Sequence, residues 1–310
     1  MGVAEDLAGR LAAGEVVIID GGTGTQLQAD GAAMDSEAWS ARANLERPDL
    51  VRQVHQDYIR AGAEVIIANT FAASRAALGP AGLGDRLAEI NQAAVAAALA
   101  ARDAAATRPV VVAGAMSSFC PIAMRDAAAE ERAAGEDPRF PALADFREQA
   151  ALLAEAGVDL IALELIESTG YGRAAVQAAT ETGLPVWLGI GAVRLDDGTL
   201  GTDPVMGRGE SLDDLLDALV SPDLAAVTVM HTKPELVPDS IAIIRRHYAG
   251  PVGAYAESGG WEAPNWVFDG LDPEQYLRHA TGWADAGVQL IGGCCGVGPE
   301  HIRLLAERLG

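Results

Sequence analysis

The sequence predicts an α/β fold, a closed (β/α)8 or TIM barrel, formed by a single domain spanning residues 1–310. Three observations predict it. Eight short runs of unbroken hydrophobicity recur along the chain. Eight segments with helical spacing separate and follow them. No linker, low-complexity tract or shift of composition interrupts the alternation. Continuous apolar runs of four to eight residues are how strands buried on both faces of a parallel sheet read. Strict alternation with helices calls for a parallel sheet, and eight units in about 300 residues suit a barrel that closes on itself.

The expected strands are, in order, "EVVIIDGG" (Glu15 to Gly22), "AEVIIANT" (Ala63 to Thr70), "PVVVAGAMS" (Pro109 to Ser117) and "VDLIALE" (Val158 to Glu164), then "PVWLGIGA" (Pro185 to Ala192), "AAVTVMH" (Ala225 to His231), "PVGAYAE" (Pro251 to Glu257) and "VQLIGGCC" (Val288 to Cys295). The first helix, "PDLVRQVHQDYIRAGA", opens at Pro48 and Asp49 and stops at Gly62. The Ala-rich "LAEINQAAVAAALAARDAAA" follows, and then "LADFREQAALLAEAGV", "GRAAVQAATETG", "SLDDLLDALV", "PELVPDSIAIIRRHYAG", "DPEQYLRHATGWADAGV" and "PEHIRLLAERLG". Several end in Gly, the usual helix stop. The structural rival is an open doubly wound sheet, but "DGGTGTQ" after the first strand lacks the G-x-G-x-x-G order of its phosphate loop. The polar excursion "RDAAAEERAAGEDPRFP" (Arg125 to Pro141) reads as a solvated loop, with a lid as the alternative.

Half the residues are hydrophobic, enough for a large core. The formal charge of −22 repels nucleic acid and anionic membranes, so neither is expected as a partner. The N-terminus carries no basic segment followed by a long apolar one, and "MGVAED" lacks the Ser or Thr of a myristoylation signal. No apolar run approaches the roughly 18 residues of a membrane span. Three cysteines, an odd number, fit a reducing compartment. A cytoplasmic location is expected from these signs together.

Chemistry in such a barrel sits at the C-terminal ends of its strands. That rule gathers Asp20, Asn69, Thr70, Ser117, Ser118, Cys120, Glu164, His231, Glu257, Cys294 and Cys295 around one mouth. Thiolate and imidazole are the donors zinc prefers, and a catalytic zinc keeps three protein ligands and one open position. Cys294, Cys295 and His231 could make a Cys2His set. Adjacent residues of a regular strand point to opposite faces; Gly292, Gly293 and Gly296 would allow the twist that turns both sulfurs to one ion. The competing reading is two small buried hydrophobes. A vicinal disulfide would be strained. Cys120 is either a substitute ligand or a buried thiol. His55, His247, His279 and His301 fall on helices and are given no chemistry.

Asp20 and Glu164 end apolar strands, where a carboxylate is costly unless paired. They either grip a substrate ammonium group or act as a base, or they bond neighbouring backbone amides. Gly21, Gly22, Thr23, Gly24 and Thr25 offer successive backbone N–H groups to a carboxylate or phosphate. A metal, an anion cradle and two acids together suit an amino acid that carries a thiol.

Three motifs resemble the homocysteine S-methyltransferase family, the zinc-dependent barrels that methylate a thiol. "DGGTGTQL" resembles its first-strand motif, "EAWSARANLERPDLVRQVHQDYIRAGAEVIIANTFAAS" its second-unit block, and "GGCCGVGPEHI" its last-strand zinc motif. The resemblance covers nearly the whole chain. It implies a Zn2+ site at Cys294 and Cys295, an amino-group grip at Asp20 and Glu164, and transfer of a methyl group from a sulfonium or ammonium donor to homocysteine, giving methionine. "WSA" resembles the S-methylmethionine branch more than the betaine branch. It places Trp39, with Phe71, beside a cationic methyl donor as a cation–π contact; packing under a loop is the plainer role. The chain departs from the family where "VMHTKPELV" puts His231 in place of a ligating cysteine, in "YAESGG", and in "AMSSFCP". Another thiol, another donor such as a betaine or dimethylsulfonio compound, and a metal-free binding relative remain as alternatives. Monomer and homo-oligomer both occur in the family.

Overall fold

A computed structural model describes residues 2–119, 142–205 and 208–310. Eight parallel strands form the barrel: β1 Val17–Ile18, β2 Val65–Ala68, β3 Val111–Ser117, β4 Leu160–Glu164, β5 Val186–Ile190, β6 Leu224–Met230, β7 Val252–Ala256 and β8 Leu290–Gly293. Each lies inside, or within a residue of, an expected run. β1 pairs with β8 through Val17–Leu290 and Ile18–Ile291. The ring closes where Ile19 bridges Val65 and the Asp20 N–H donates to the Val65 carbonyl at 2.9 Å. β1 is short because "EVVIIDGG" breaks toward the mouth at its glycines.

The eight expected helices are present as Pro48–Ala61, Leu87–Ala105, Ala142–Ala156, Thr169–Thr180, Leu212–Leu219, Val237–His247, Pro273–Asp285 and Pro299–Leu309. Their starts follow local chemistry. Ser168, Ser211 and Asp272 each accept a backbone N–H three residues on, and Gly62 closes the first helix with φ 116°. Their apolar faces pack on the outside of the barrel, with Val54, Tyr58, Val95, Leu153, Leu216, Ile244, Tyr276 and Ile302 all buried.

The barrel interior holds Val17, Ile19, Val65, Val111, Leu160, Trp187 and Leu290. A helix not expected from the sequence, Val3–Ala12, lays Leu7 and Leu11 against this cluster at the N-terminal end of the barrel. Two short hairpins, Val193–Arg194 with Leu200–Gly201 and Gly260–Glu262 with Asn265–Val267, extend the opposite end. Among the described residues no helix is long and apolar enough to cross a membrane. Cys120 and the excursion Arg125 to Pro141 lie outside the described residues.

Candidate metal centre and substrate cavity

β8 ends at Gly293, and the chain turns through Cys294, Cys295 and Gly296. Backbone bonds fix the turn. The Cys294 N–H donates to the Ala256 carbonyl (2.8 Å), the Ser258 N–H to the Cys295 carbonyl (2.8 Å) and the Val297 N–H to the Cys294 carbonyl (3.1 Å). Of the three glycines expected to twist the strand end, only Gly296 is left-handed, with φ 78°. Gly292 and Gly293 belong to the regular strand; the expectation is corrected for them. They are glycine for room. A Cβ on Gly292 would stand 2.7 Å from the Asp20 carbonyl oxygen, and one on Gly293 would run into the Val297 side chain. The turn, rather than a twisted strand, brings the two sulfurs to the same side, 4.0 Å apart.

His231 follows β6, and its Nδ1 lies 3.8 Å from the Cys294 Sγ. The three donor atoms all fall within 4.8 Å of one another. Three non-glycine residues have positive φ among the described residues, Trp39 (42°), Leu165 (52°) and His231 (46°), and all three line the cavity. Such backbone costs about 1–3 kcal/mol each and gathers where side chains are held for function. The Glu257 carboxylate lies 3.3 Å from His231 Nδ1 and forms an ion pair with Lys233 Nζ at 2.9 Å.

The cluster sets its own charges. The hydrogen bond from the Cys295 thiol and the nearby His231 hold the Cys294 thiol down at about 5, against burial. Cys295 is pushed up by that same bond and by burial. Burial works against charge on His231, but Cys294 and Glu257 outweigh it and raise the imidazole to about 9. Two sulfurs and an imidazole nitrogen this close fit the donor set of a soft-to-borderline metal ion.

The cluster opens into a cavity of ≈ 470 Å³, within the range of small-molecule sites. Glu164, the last residue of β4, lines it while only 7% exposed. Burial, then Cys294 and Asp20, push its carboxyl well above the usual range. Asp20 does not line the cavity. Its Oδ2 accepts the Ile67 N–H at 2.8 Å, its Oδ1 is buried without a partner, and burial raises its carboxyl strongly. Gly21, Gly22, Thr23 and Gly24 line the wall where the helix Thr23–Ala29 begins, but the Gly22 N–H is already bonded to the Val297 carbonyl at 3.1 Å.

Other strand-end residues fasten neighbouring segments. Asn69 bonds Ser40 and Asn44, and Thr70 bonds Ala115 through both its roles as donor and acceptor. Ser117 donates to the Phe71 carbonyl and Ser118 to the Leu165 carbonyl. His55, His247, His279 and His301 lie on helices, as expected.

Trp39 and Phe71 do come together, with ring centroids 6.0 Å apart at 77°, and Phe119 stands 5.4 Å from Phe71. The sequence reading missed Trp261, 6.2 Å from Trp39, and Trp266, 6.0 Å from the His231 ring. Both come from the hairpin after β7, whose three-residue strands are too short to carry a hydrophobic period. It also missed Lys233 and Tyr255, which line the same cavity.

A family model described as "Homocysteine S-methyltransferase" matches residues 17–309. The chain is 33% identical to homocysteine S-methyltransferase 1 of Zea mays, over 100% of this chain and 98% of that one. It is 29% identical to a selenocysteine methyltransferase of Astragalus bisulcatus, over 94% and 91%. Its fold matches the metallated form of the homocysteine methyltransferase MmuM from Escherichia coli with a TM-score of 0.75, at 24% identity, over 99% of this chain and 100% of that one.

Proposed function

The chain belongs to the homocysteine S-methyltransferase family and is a methyltransferase enzyme; from that premise we propose that it transfers a methyl group from an S-methylmethionine-like sulfonium to homocysteine, with zinc held by His231, Cys294 and Cys295. The observation that carries this reading is the three-donor cluster opening into the same cavity as a buried acid and an aromatic wall. Zinc bound there would take up the acceptor sulfur and lower its pKa, so that a thiolate is present near neutral pH.

The remaining work falls to the chain's own residues. Glu164 accepts the acceptor's ammonium group, and that positive charge restores its carboxylate against the pull of burial. The wall from Gly21 to Gly24 takes the acceptor's carboxylate, with Thr23 and Gly24 at the start of a helix whose first N–H groups lack intrahelical partners. Gly22 serves by its lack of a side chain, since a Cβ there would stand 2.6 Å from the Cys294 carbonyl oxygen. Asp20 acts from behind the wall, by accepting the Ile67 N–H, rather than by contact with the substrate. Trp39 and Phe71, joined by Trp261, hold the donor's cationic centre by cation–π attraction. The acceptor sulfur attacks the methyl carbon; the methyl–sulfur bond of the donor breaks with its electron pair passing to the donor sulfur. The thiol proton leaves to solvent. With homocysteine and S-methylmethionine, both products are methionine.

A selenol amino acid is the second reading for the acceptor, favoured by the selenocysteine methyltransferase among the relatives. The test is metal content and methyl transfer for the purified protein beside His231→Ala and Cys294→Ala. Wild type should hold about one zinc per chain, and both variants should lose zinc and transfer together. Zinc retained in His231→Ala would place the third ligand elsewhere. A wild type unable to hold zinc would end the metal reading.

A further inference from the structure

Of the 22 lysines and arginines in this chain, Lys233 is the only lysine. It is also the only ammonium or guanidinium group among the described residues that line the cavity, beside the acids Glu37, Glu164, Asp203 and Glu257. Its Nζ donates to the Gly259 carbonyl at 2.7 Å and forms an ion pair with Glu257 Oε1 at 2.9 Å. An ammonium has three donors, so these two partners leave at least one. The side chain is 48% exposed, which puts its charge in the outer part of the cavity rather than at its floor.

Resting on the methyl-transfer reading above, we propose that Lys233 binds the carboxylate of the methyl donor and selects sulfonium zwitterions over sulfonium ions that lack a carboxylate. Three features lead there. A sulfonium amino acid brings two positive groups and one negative one. The cavity acids and aromatic rings answer the positive groups, and Lys233 answers the negative one. The acceptor has other partners, since its sulfur goes to the cysteine turn and its ammonium to Glu164, which is buried deep in the wall. Lys233 is also tied to the donor side. The Gly259 carbonyl that it holds immediately precedes the strand Gly260–Glu262, which carries Trp261 against Trp39. One flexible side chain thus links the hairpin, the aromatic wall and Glu257. A compact ammonium on a long stem can turn its free donor toward an entering carboxylate without giving up Glu257.

The experiment compares wild type, Lys233→Gln and Lys233→Arg with two donors, S-methylmethionine and trimethylsulfonium, at saturating homocysteine. Bound zinc is measured on each protein. Lys233→Gln should raise KM for S-methylmethionine about tenfold to a hundredfold, the size of a lost charged hydrogen bond. It should leave kcat/KM for trimethylsulfonium within about twofold and zinc content unchanged, and Lys233→Arg should recover part of the loss. An equal loss with both donors, or a loss of zinc, would make Lys233 only a brace for Glu257 and overturn the proposal. So would a rise in the KM of homocysteine instead. Calorimetric binding of S-methylmethionine to wild type and Lys233→Gln keeps the two readings apart. If methyl transfer to homocysteine fails but binding still depends on Lys233, the donor site stands and the acceptor assignment falls. If binding is the same in both proteins, the donor site falls.

Discussion

Gly296→Ala puts the whole cysteine turn at risk, and its cost can be built from the structure. Gly296 has φ 78°, so an L-residue there pays about 1–2 kcal/mol for left-handed backbone. The new Cβ would run into the Ser258 carbonyl oxygen and stand 2.6 Å from Trp266 Nε1. Those two atoms are the ends of one hydrogen bond, 2.9 Å long. Parting them also strains the Ser258 N–H bond to the Cys295 carbonyl. Each such bond contributes about 0.5–1.5 kcal/mol net. The sum is about 2–5 kcal/mol, which for a chain of this size lowers the melting temperature by roughly 3–8 °C. The assay is thermal unfolding by circular dichroism with zinc retention measured on the same samples. Gly282→Ala is the control. Gly282 lies inside the helix Pro273–Asp285 with nothing within 4 Å of a Cβ, so alanine there should be neutral or slightly stabilising. A Gly296→Ala protein that melts within a degree of wild type and keeps its zinc would refute the reasoning.

Three other outcomes are expected. Glu164→Gln should raise the KM of homocysteine about tenfold or more by removing the charged partner of its ammonium, with zinc content intact; an unchanged KM would remove Glu164 from the acceptor site. Trp261→Ala should raise the KM of the sulfonium donor about 2- to 30-fold, the span of a cation–π contact of about 0.5–2 kcal/mol, while the KM of homocysteine stays put. In the metal-free protein, alkylation of Cys294 by iodoacetamide should hold its rate from neutral pH down to about 5 and fall below it. The thiolate is the reactive form, and protonation removes it only once the pH drops through that value. A midpoint near that of a free thiol would contradict the charge arrangement at His231.

The barrel was legible in the sequence because parallel strands buried on both faces leave unbroken apolar runs, and all eight appear where those runs lie. The helix Val3–Ala12 leaves little trace in the sequence because its burial rests on just two residues, Leu7 and Leu11. His231, Cys294 and Cys295 could be gathered from three facts: the strands end there, the mouth is shared, and these side chains are metal donors. The two acids show where such a rule stops. Asp20 and Glu164 both end strands, yet one bonds the Ile67 backbone behind the wall and the other faces the cavity. Strand position gives the end of the barrel, whereas the side chain's direction depends on local backbone that no periodicity encodes. Lys233 did carry a compositional signal, as the sole lysine, but one residue of a type has no spacing to read.

The helix Val3–Ala12 closes one end of the barrel, and this governs traffic. Leu7 and Leu11 seat against the inner residues at that end, so the cysteine turn is approached from the opposite mouth. Two substrates and two products then share one doorway. With the acceptor seated as proposed, at the cysteine turn and the buried Glu164, and the donor at the outer aromatic wall, initial-rate kinetics should show acceptor binding first, with the spent donor competing against fresh donor.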